Sequence, residues 1–260
     1  MTAQIKFTPL DLQTWKRGQM FYYFSQIAPT GYALTAELDI TKMKATLSAA
    51  NIKFFPAYLW LVTKTLNSQI EFKIAEKDGQ LGYYDTLTPL YASFHEDDKT
   101  FSLMWTAYDD AFQVFYQSYL NHQQKFGNQH GLLSQHGVTP PENAYTVSCI
   151  PWISFQHFSV QVYENKPYYF PSVEAGKFYD KAGKIMLPLS ITFHHATTDG
   201  YHVSCFLKPY KRKQTHSTNI SHKNAIQKEA VTVSLFSSLS LSFLFIISPR
   251  KKYKGPEQNV

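Results

Sequence analysis

Two cysteines, Cys149 and Cys205, are all that 260 residues contain. That scarcity excludes a disulfide-stapled scaffold and a Cys-rich zinc module. Charged residues are also sparse, at 17%. A soluble domain usually carries about 25%, so a charge-rich coiled coil is excluded. No internal repeat marks a solenoid or propeller. No zinc-ligand spacing of the HExxH kind is present, and we assign no metal. The opening stretch MTAQIKFTPLDLQTW mixes polar and apolar residues from the start. It does not read as a charged-then-apolar leader, so we expect a cytoplasmic protein with reduced thiols.

What the chain has in quantity is apolar and aromatic mass. Hydrophobic residues make up 44%, with 20 Phe and 18 Tyr. This excludes a disordered or collagen-like chain and supplies one large domain, with or without an appendage. The net charge of +6 is unevenly placed. After Leu207 there are ten Lys/Arg against two Asp/Glu, while residues 1–207 hold fifteen against seventeen. The body therefore offers no basic face, and nucleic acid is not an expected partner.

Hydrophobic spacing predicts the elements. Asp11 to Ile27 reads as a helix with Trp15, Met20, Phe21 and Phe24 on one face. Tyr32 to Thr41 reads as a strand. Pro56 in a first turn, followed by AYLWLVTKTLN, predicts a buried helix. Residues 80–95 suggest paired strands broken around Thr86–Pro89. Asp109 to Phe126 is spaced as a helix through Phe112, Val114, Phe115, Tyr119 and Leu120. Gly127 to Glu142 is polar and reads as a long loop. Tyr145 to Val162 and Ile185 to Phe193 are rich in β-branched and aromatic residues, as strands are. Strands and helices intermix without strict alternation. We expect an α/β two-layer sandwich, a mixed β-sheet covered by helices.

Beyond Leu207 the character changes. Residues 208–230 are polar and basic without periodicity, and we expect disorder there. Val231 to Ile247 is apolar but holds five serines and a threonine. At 17 residues it falls short of the roughly 20 that a membrane span needs. A strand-prone, sticky segment fits it as well. The chain thus divides into a body, 1–207, and a divergent tail, 208–260.

The stretch LPLSITFHHATTDGYHVSCFL, 187–207, concentrates the chemistry. A strand ends at His194–His195, Asp199–Gly200 follows four residues on, and a helical pattern comes next. Moving an acyl group from a thioester to an alcohol needs a base that takes the hydroxyl proton, and imidazole suits it near neutral pH. The reaction also needs a donor for the oxyanion and a support that fixes the imidazole tautomer. His195 can be that base, with Asp199 in its support.

HHATTDG resembles the HHxxxDG signature of the coenzyme A-dependent acyltransferases. Further segments narrow the resemblance. WKR at 15–17, YALTAELDIT at 32–41, KFFPAYLWLVTKTLN at 53–67, FHEDDKTFSLMW at 94–105, VSCIPWISF at 147–155 and MLPLSITFHHATTDGYHVS at 186–204 run in the order of the type A chloramphenicol acetyltransferases. The resemblance covers residues 5–207. It implies a chloramphenicol acetyltransferase-like fold and a homotrimer with active sites at subunit interfaces. It also implies acetyl transfer from acetyl-CoA, a co-substrate and not a permanently bound cofactor, to the primary hydroxyl of chloramphenicol. By resemblance, His195 is the general base and Ser148 stabilises the oxyanion. Asp199 pairs with Arg17 to hold the backbone of the site. Phe24, Tyr32 and Phe101 match the acceptor pocket, and Phe55, Lys177 and Phe178 fall where the family meets coenzyme A.

Three features depart from that family. Glu174 stands where the family carries threonine, which places a carboxylate near a developing oxyanion unless it is protonated or turned away. Thr197–Thr198 replace the usual Val-Cys, with little effect expected. Lys208–Pro209 interrupts the expected final helix, since proline removes a donor and clashes. Other readings therefore stay open. One is an acyltransferase of the same fold with another hydroxyl acceptor, and another is a non-catalytic or misfolded variant. The last is attachment to a membrane through the apolar tail.

Overall fold

The computed structural model describes residues 5–133, 135, 138–161 and 168–207. The tail, 208–260, and the readings made on it lie outside the described residues. In chain order the strands are β1 Phe7–Pro9, β2 Gly31–Asp39, β3 Ile74–Lys77, β4 Gln80–Tyr84, β5 Thr88–Phe94, β6 Phe101–Trp105, β7 Ala144–Ile150, β8 Ser172–Gly176, β9 Tyr179–Lys181 and β10 Lys184–His194. The helices are α1 Gly18–Tyr22, α2 Thr41–Ala49, α3 Phe54–Asn67, α4 Phe112–Phe126 and α5 Gly200–Leu207.

The main sheet runs β2-β10-β8-β7-β5-β6, with β9 pairing β10 at one end. β7 is parallel to both β5 and β8, and the other pairs are antiparallel. This is the mixed sheet expected. A small antiparallel sheet, β1-β4-β3, stands apart.

Register explains the two faces. Leu34, Ile191, Val173 and Val147 lie opposite one another across four strands. Side chains alternate along a strand, so this row and its neighbours Leu38/Leu187 and Ala36/Leu189 share one face. Apart from Leu34, which is partly exposed, that face joins the main core with Trp60, Leu59 and Leu66 of α3 and Phe115 of α4. The other face carries the intervening row, Thr35, Ser190, Glu174 and Ser148. It is polar, and the main core does not extend to it.

α3 forms where expected, with every residue from Pro56 to Thr63 buried. Four expectations are corrected. The first helix begins at Gly18, not Asp11: residues 11–17 form turns, with the Asp11 carboxylate accepting from Gln13 N–H and Thr14 Oγ. A Cβ at Gly18 would lie 1.9 Å from the Leu12 carbonyl oxygen, so chain and turn meet too closely for any other residue. Met20 and Val114, placed by spacing on buried faces, are half exposed. The strand from Tyr145 ends at Ile150, because Pro151 cannot continue the ladder. β4 and β5 are separate strands, as the break at Thr86–Pro89 indicated, but they belong to different sheets. β4 instead pairs β3 through the Asp78–Gly79 turn, both residues at positive φ as a two-residue hairpin requires.

Candidate active site

β10 delivers His195. Its last paired residue, His194, lies opposite Gly31, and the next backbone N–H, that of His195, donates to the Thr30 carbonyl at 2.8 Å. The chain then turns through Ala196–Thr198 into α5, bringing the Thr198 carbonyl oxygen 2.9 Å from His195 Nδ1. A carbonyl oxygen only accepts, so Nδ1 carries the proton and Nε2 keeps the free lone pair. Phe24 stacks on the imidazole with ring centroids 3.9 Å apart. Tyr32 meets it edge-on at 5.3 Å and donates its hydroxyl to Thr198 Oγ1 at 3.2 Å. The imidazole is thus fixed in tautomer, tilt and position.

The support beneath it is an ion pair across the chain. Arg17 Nη1 lies 2.7 Å from Asp199 Oδ2, joining residues 182 apart. Asp199 Oδ1 accepts the Tyr201 N–H at 2.9 Å, in the first turn of α5. His202 Nδ1 lies 3.0 Å from the same oxygen, with Nε2 turned toward Glu71 at 3.8 Å. Partial burial works to raise the Asp199 carboxyl, but the bonds from Arg17 and Tyr201 and the neighbouring His202 outweigh it and hold the group at about 2.

Other residues singled out in the sequence lie elsewhere. Ser148 is on β7, in register with Glu174 on β8, which is in register with Ser190 on β10. From Ser148 to His195 is two strand spacings across and five residues along, about 19 Å at ordinary sheet dimensions. Phe101 starts the edge strand β6, four spacings from β10, and is half exposed. Phe55 packs against Tyr58, Tyr91 and Tyr119. Phe178 is exposed, in edge contact with Phe54, and Lys44 Nζ sits 3.6 Å over its ring. Lys177 is exposed beside it, its N–H held by the Ile153 carbonyl at 2.7 Å.

Glu174 is fully buried. The Ser172 hydroxyl donates to its Oε1, and its Oε2 has no hydrogen-bond partner among the described residues. Burial raises the carboxyl to about 7, against the smaller opposing effect of Ser172.

The chloramphenicol acetyltransferase family model matches residues 5–211. A chloramphenicol acetyltransferase of Staphylococcus aureus is 38% identical over 205 residues, 78% of this chain and 93% of the relative. One from Clostridium butyricum is 35% identical over 204 residues, 78% and 92% of the two chains. This chain belongs to the chloramphenicol acetyltransferase family. It is an acyltransferase. A solved chloramphenicol acetyltransferase shares the fold at a TM-score of 0.71, with 23% identity, covering 77% of this chain and 96% of that one.

Sequence reasoning passed over two residues of this family member's site. Thr198 was expected to be inert, yet its carbonyl holds His195 and its hydroxyl holds Tyr32. His202 was given no role, yet it is buried against Asp199. The signal for His202 was present: Asp199 and His202 are three apart at a helix start, where such side chains meet. For Thr198 there was none, since a backbone carbonyl has no sequence signature.

Proposed function

We propose that this chain transfers the acetyl group of acetyl-CoA to the primary hydroxyl of chloramphenicol, in a homotrimer whose active sites form between subunits. The observation that carries it is the His195–Thr198 bond, which leaves Nε2 of a clamped imidazole as the basic atom. Nε2 takes the proton of the acceptor hydroxyl as its oxygen attacks the thioester carbonyl carbon. The oxyanion of the tetrahedral intermediate accepts a bond from the Ser148 hydroxyl. As the carbon–sulfur bond breaks, the imidazolium returns its proton to the departing coenzyme A sulfur. The products are the acetyl ester and the free thiol, with no acyl-enzyme.

Asp199 and Arg17 act as support and not as a charge relay. Asp199 bonds to Arg17, Tyr201 and His202, while His195 Nδ1 is occupied by a carbonyl. Phe24, Tyr32 and Phe101 line the acceptor pocket in this reading, and Phe55, Lys177 and Phe178 lie along coenzyme A.

The roughly 19 Å between Ser148 and His195 within one chain is why the site is read as shared. Base and oxyanion donor come from two copies.

The test is release of coenzyme A thiol from acetyl-CoA on adding chloramphenicol. His195→Ala and Ser148→Ala should each lose at least about 10²-fold. Co-expressed, the two inactive chains should regain activity, because about a quarter of the sites in random trimers would pair an intact His195 with an intact Ser148. Retained activity in His195→Ala would overturn the chemistry. An inactive mixture would overturn the shared site. If the wild type uses another alcohol and not chloramphenicol, the alternative acceptor is the correct reading.

A further inference from the structure

We propose that Glu174 works as a neutral acid, its Oε2 hydroxyl offering a second hydrogen bond, beside that of Ser148, to the reacting acyl oxygen. This rests on the reading of Ser148 as oxyanion donor.

The geometry begins with register. Glu174 and Ser148 are paired residues on adjacent parallel strands, so their side chains leave the same face side by side. One carboxyl oxygen is occupied, since Ser172 Oγ donates to Oε1. The other, Oε2, is buried and has no partner among the described residues. A buried carboxylate with an unsolvated oxygen is costly, whereas a buried carboxylic acid keeps a donor for whatever enters the site.

Among the described residues, the groups around it do not supply a compensating cation. Across β10 stand Ser190 and, beyond it, Thr35, whose hydroxyls bond each other at 2.9 Å. The Tyr58 hydroxyl donates to the Ser148 carbonyl at 3.3 Å, and Tyr168 is bonded to the Thr146 N–H. Burial raises both phenols, so neither carries charge when Glu174 titrates. Ser172 lines a cavity of about 700 Å³ on this face, which His157 and His194 also line. Burial, with the charge of neighbouring His195, lowers His194, so it stays uncharged near neutrality. A neutral Glu174 is therefore consistent with the described residues packed on it. Threonine at this position, as the family has it, would not titrate. The exchange to glutamate makes one site group sensitive to base. The proton of Glu174 stays on Glu174 throughout. The proton that moves is the acceptor's, by way of His195.

The experiment is the pH profile of kcat/KM for the full-length wild type, Glu174→Gln and Glu174→Ala, read by thiol release. The wild type should lose about tenfold per pH unit above about 7, where its donor is lost. Glu174→Gln keeps a donor and cannot titrate, so this basic limb should vanish, with activity at pH 6 within about tenfold of wild type. Glu174→Ala should lose about 10²-fold at pH 6. An unchanged basic limb in Glu174→Gln, or wild-type activity in Glu174→Ala, would overturn the proposal. A merely structural Glu174 would not move the limb. If chloramphenicol releases no thiol at any pH, acetyl transfer to that acceptor fails on its own account. The carboxyl is then followed by ¹³C NMR of glutamate-labelled protein, its resonance assigned by its loss in Glu174→Gln. A midpoint near 7 upholds the neutral acid, and one in the ordinary carboxylate range refutes it.

Discussion

Replacing Arg17 by alanine tests whether the site rests on the ion pair beneath it. Asp199 binds its proton at about 2 in the folded protein, against an ordinary 3.8. A lowered carboxyl contributes stability above its unfolded value and loses it as pH falls through the folded one. At 1.36 kcal/mol per pH unit, the gap sets a ceiling of about 2.4 kcal/mol at neutral pH. Tyr201 and His202 share the effect, and the Asp199 side chain is 32% exposed, so solvent screens it. We therefore expect Arg17→Ala to cost about 1–1.5 kcal/mol at pH 7. The difference should shrink between pH 4 and pH 2, as the folded wild type takes up the proton. It should also shrink with added salt. Urea unfolding of both proteins, at one protein concentration and several pH values, reads this directly. Activity should fall further than stability. Asp199 anchors the first turn of α5 and directly follows Thr198, whose carbonyl orients His195. A small displacement there should lower kcat by on the order of tenfold or more, with KM little changed. A stability difference that is the same at pH 7 and pH 3 would refute the electrostatic account. Wild-type kcat in a destabilised Arg17→Ala would refute the link from the ion pair to the imidazole.

Thr198→Val keeps the carbonyl that holds His195 and removes the hydroxyl that holds Tyr32. It should weaken acceptor binding by about 1 kcal/mol, seen as a raised KM in steady-state kinetics, and a collapse of kcat would contradict this division of roles. In the core, the Thr63 hydroxyl donates to the Leu59 carbonyl at 2.7 Å, so the Tyr145 phenol must be the donor to Thr63 Oγ1. Thr63→Val strands that buried phenol and should cost about 2–3 kcal/mol in urea unfolding, whereas Tyr145→Phe should cost only about 1. The reverse order would show the hydrogen bonds to be assigned in the wrong direction.

Much of this was legible in local pattern. The run from Pro56 to Val62 is continuously apolar or aromatic, and each of these residues of α3 is buried. HHATTDG marked the end of a strand, a turn and a helix start, and β10, the turn and α5 follow in that order. Where spacing failed, the reason was a partner it could not see. Met20 and Val114 sit at helical intervals, yet each is left half exposed. The start of α1 was set by the approach of Leu12 to Gly18, a contact between backbone atoms and not side chains.

By itself, then, the sequence determined the types of the main elements, and it named the residues we propose for acyl-transfer chemistry. These depend on near neighbours along the chain, within one helical turn or one pleat. The tertiary structure alone decided which groups meet. It brought Arg17 to Asp199 across 182 residues, set Phe24 and Tyr32 around His195, and placed Ser148 two strands away from it. It also left Glu174 with a buried oxygen that has no partner among the described residues. Such meetings depend on strand order and register, which long-range packing selects among many arrangements compatible with the same local pattern.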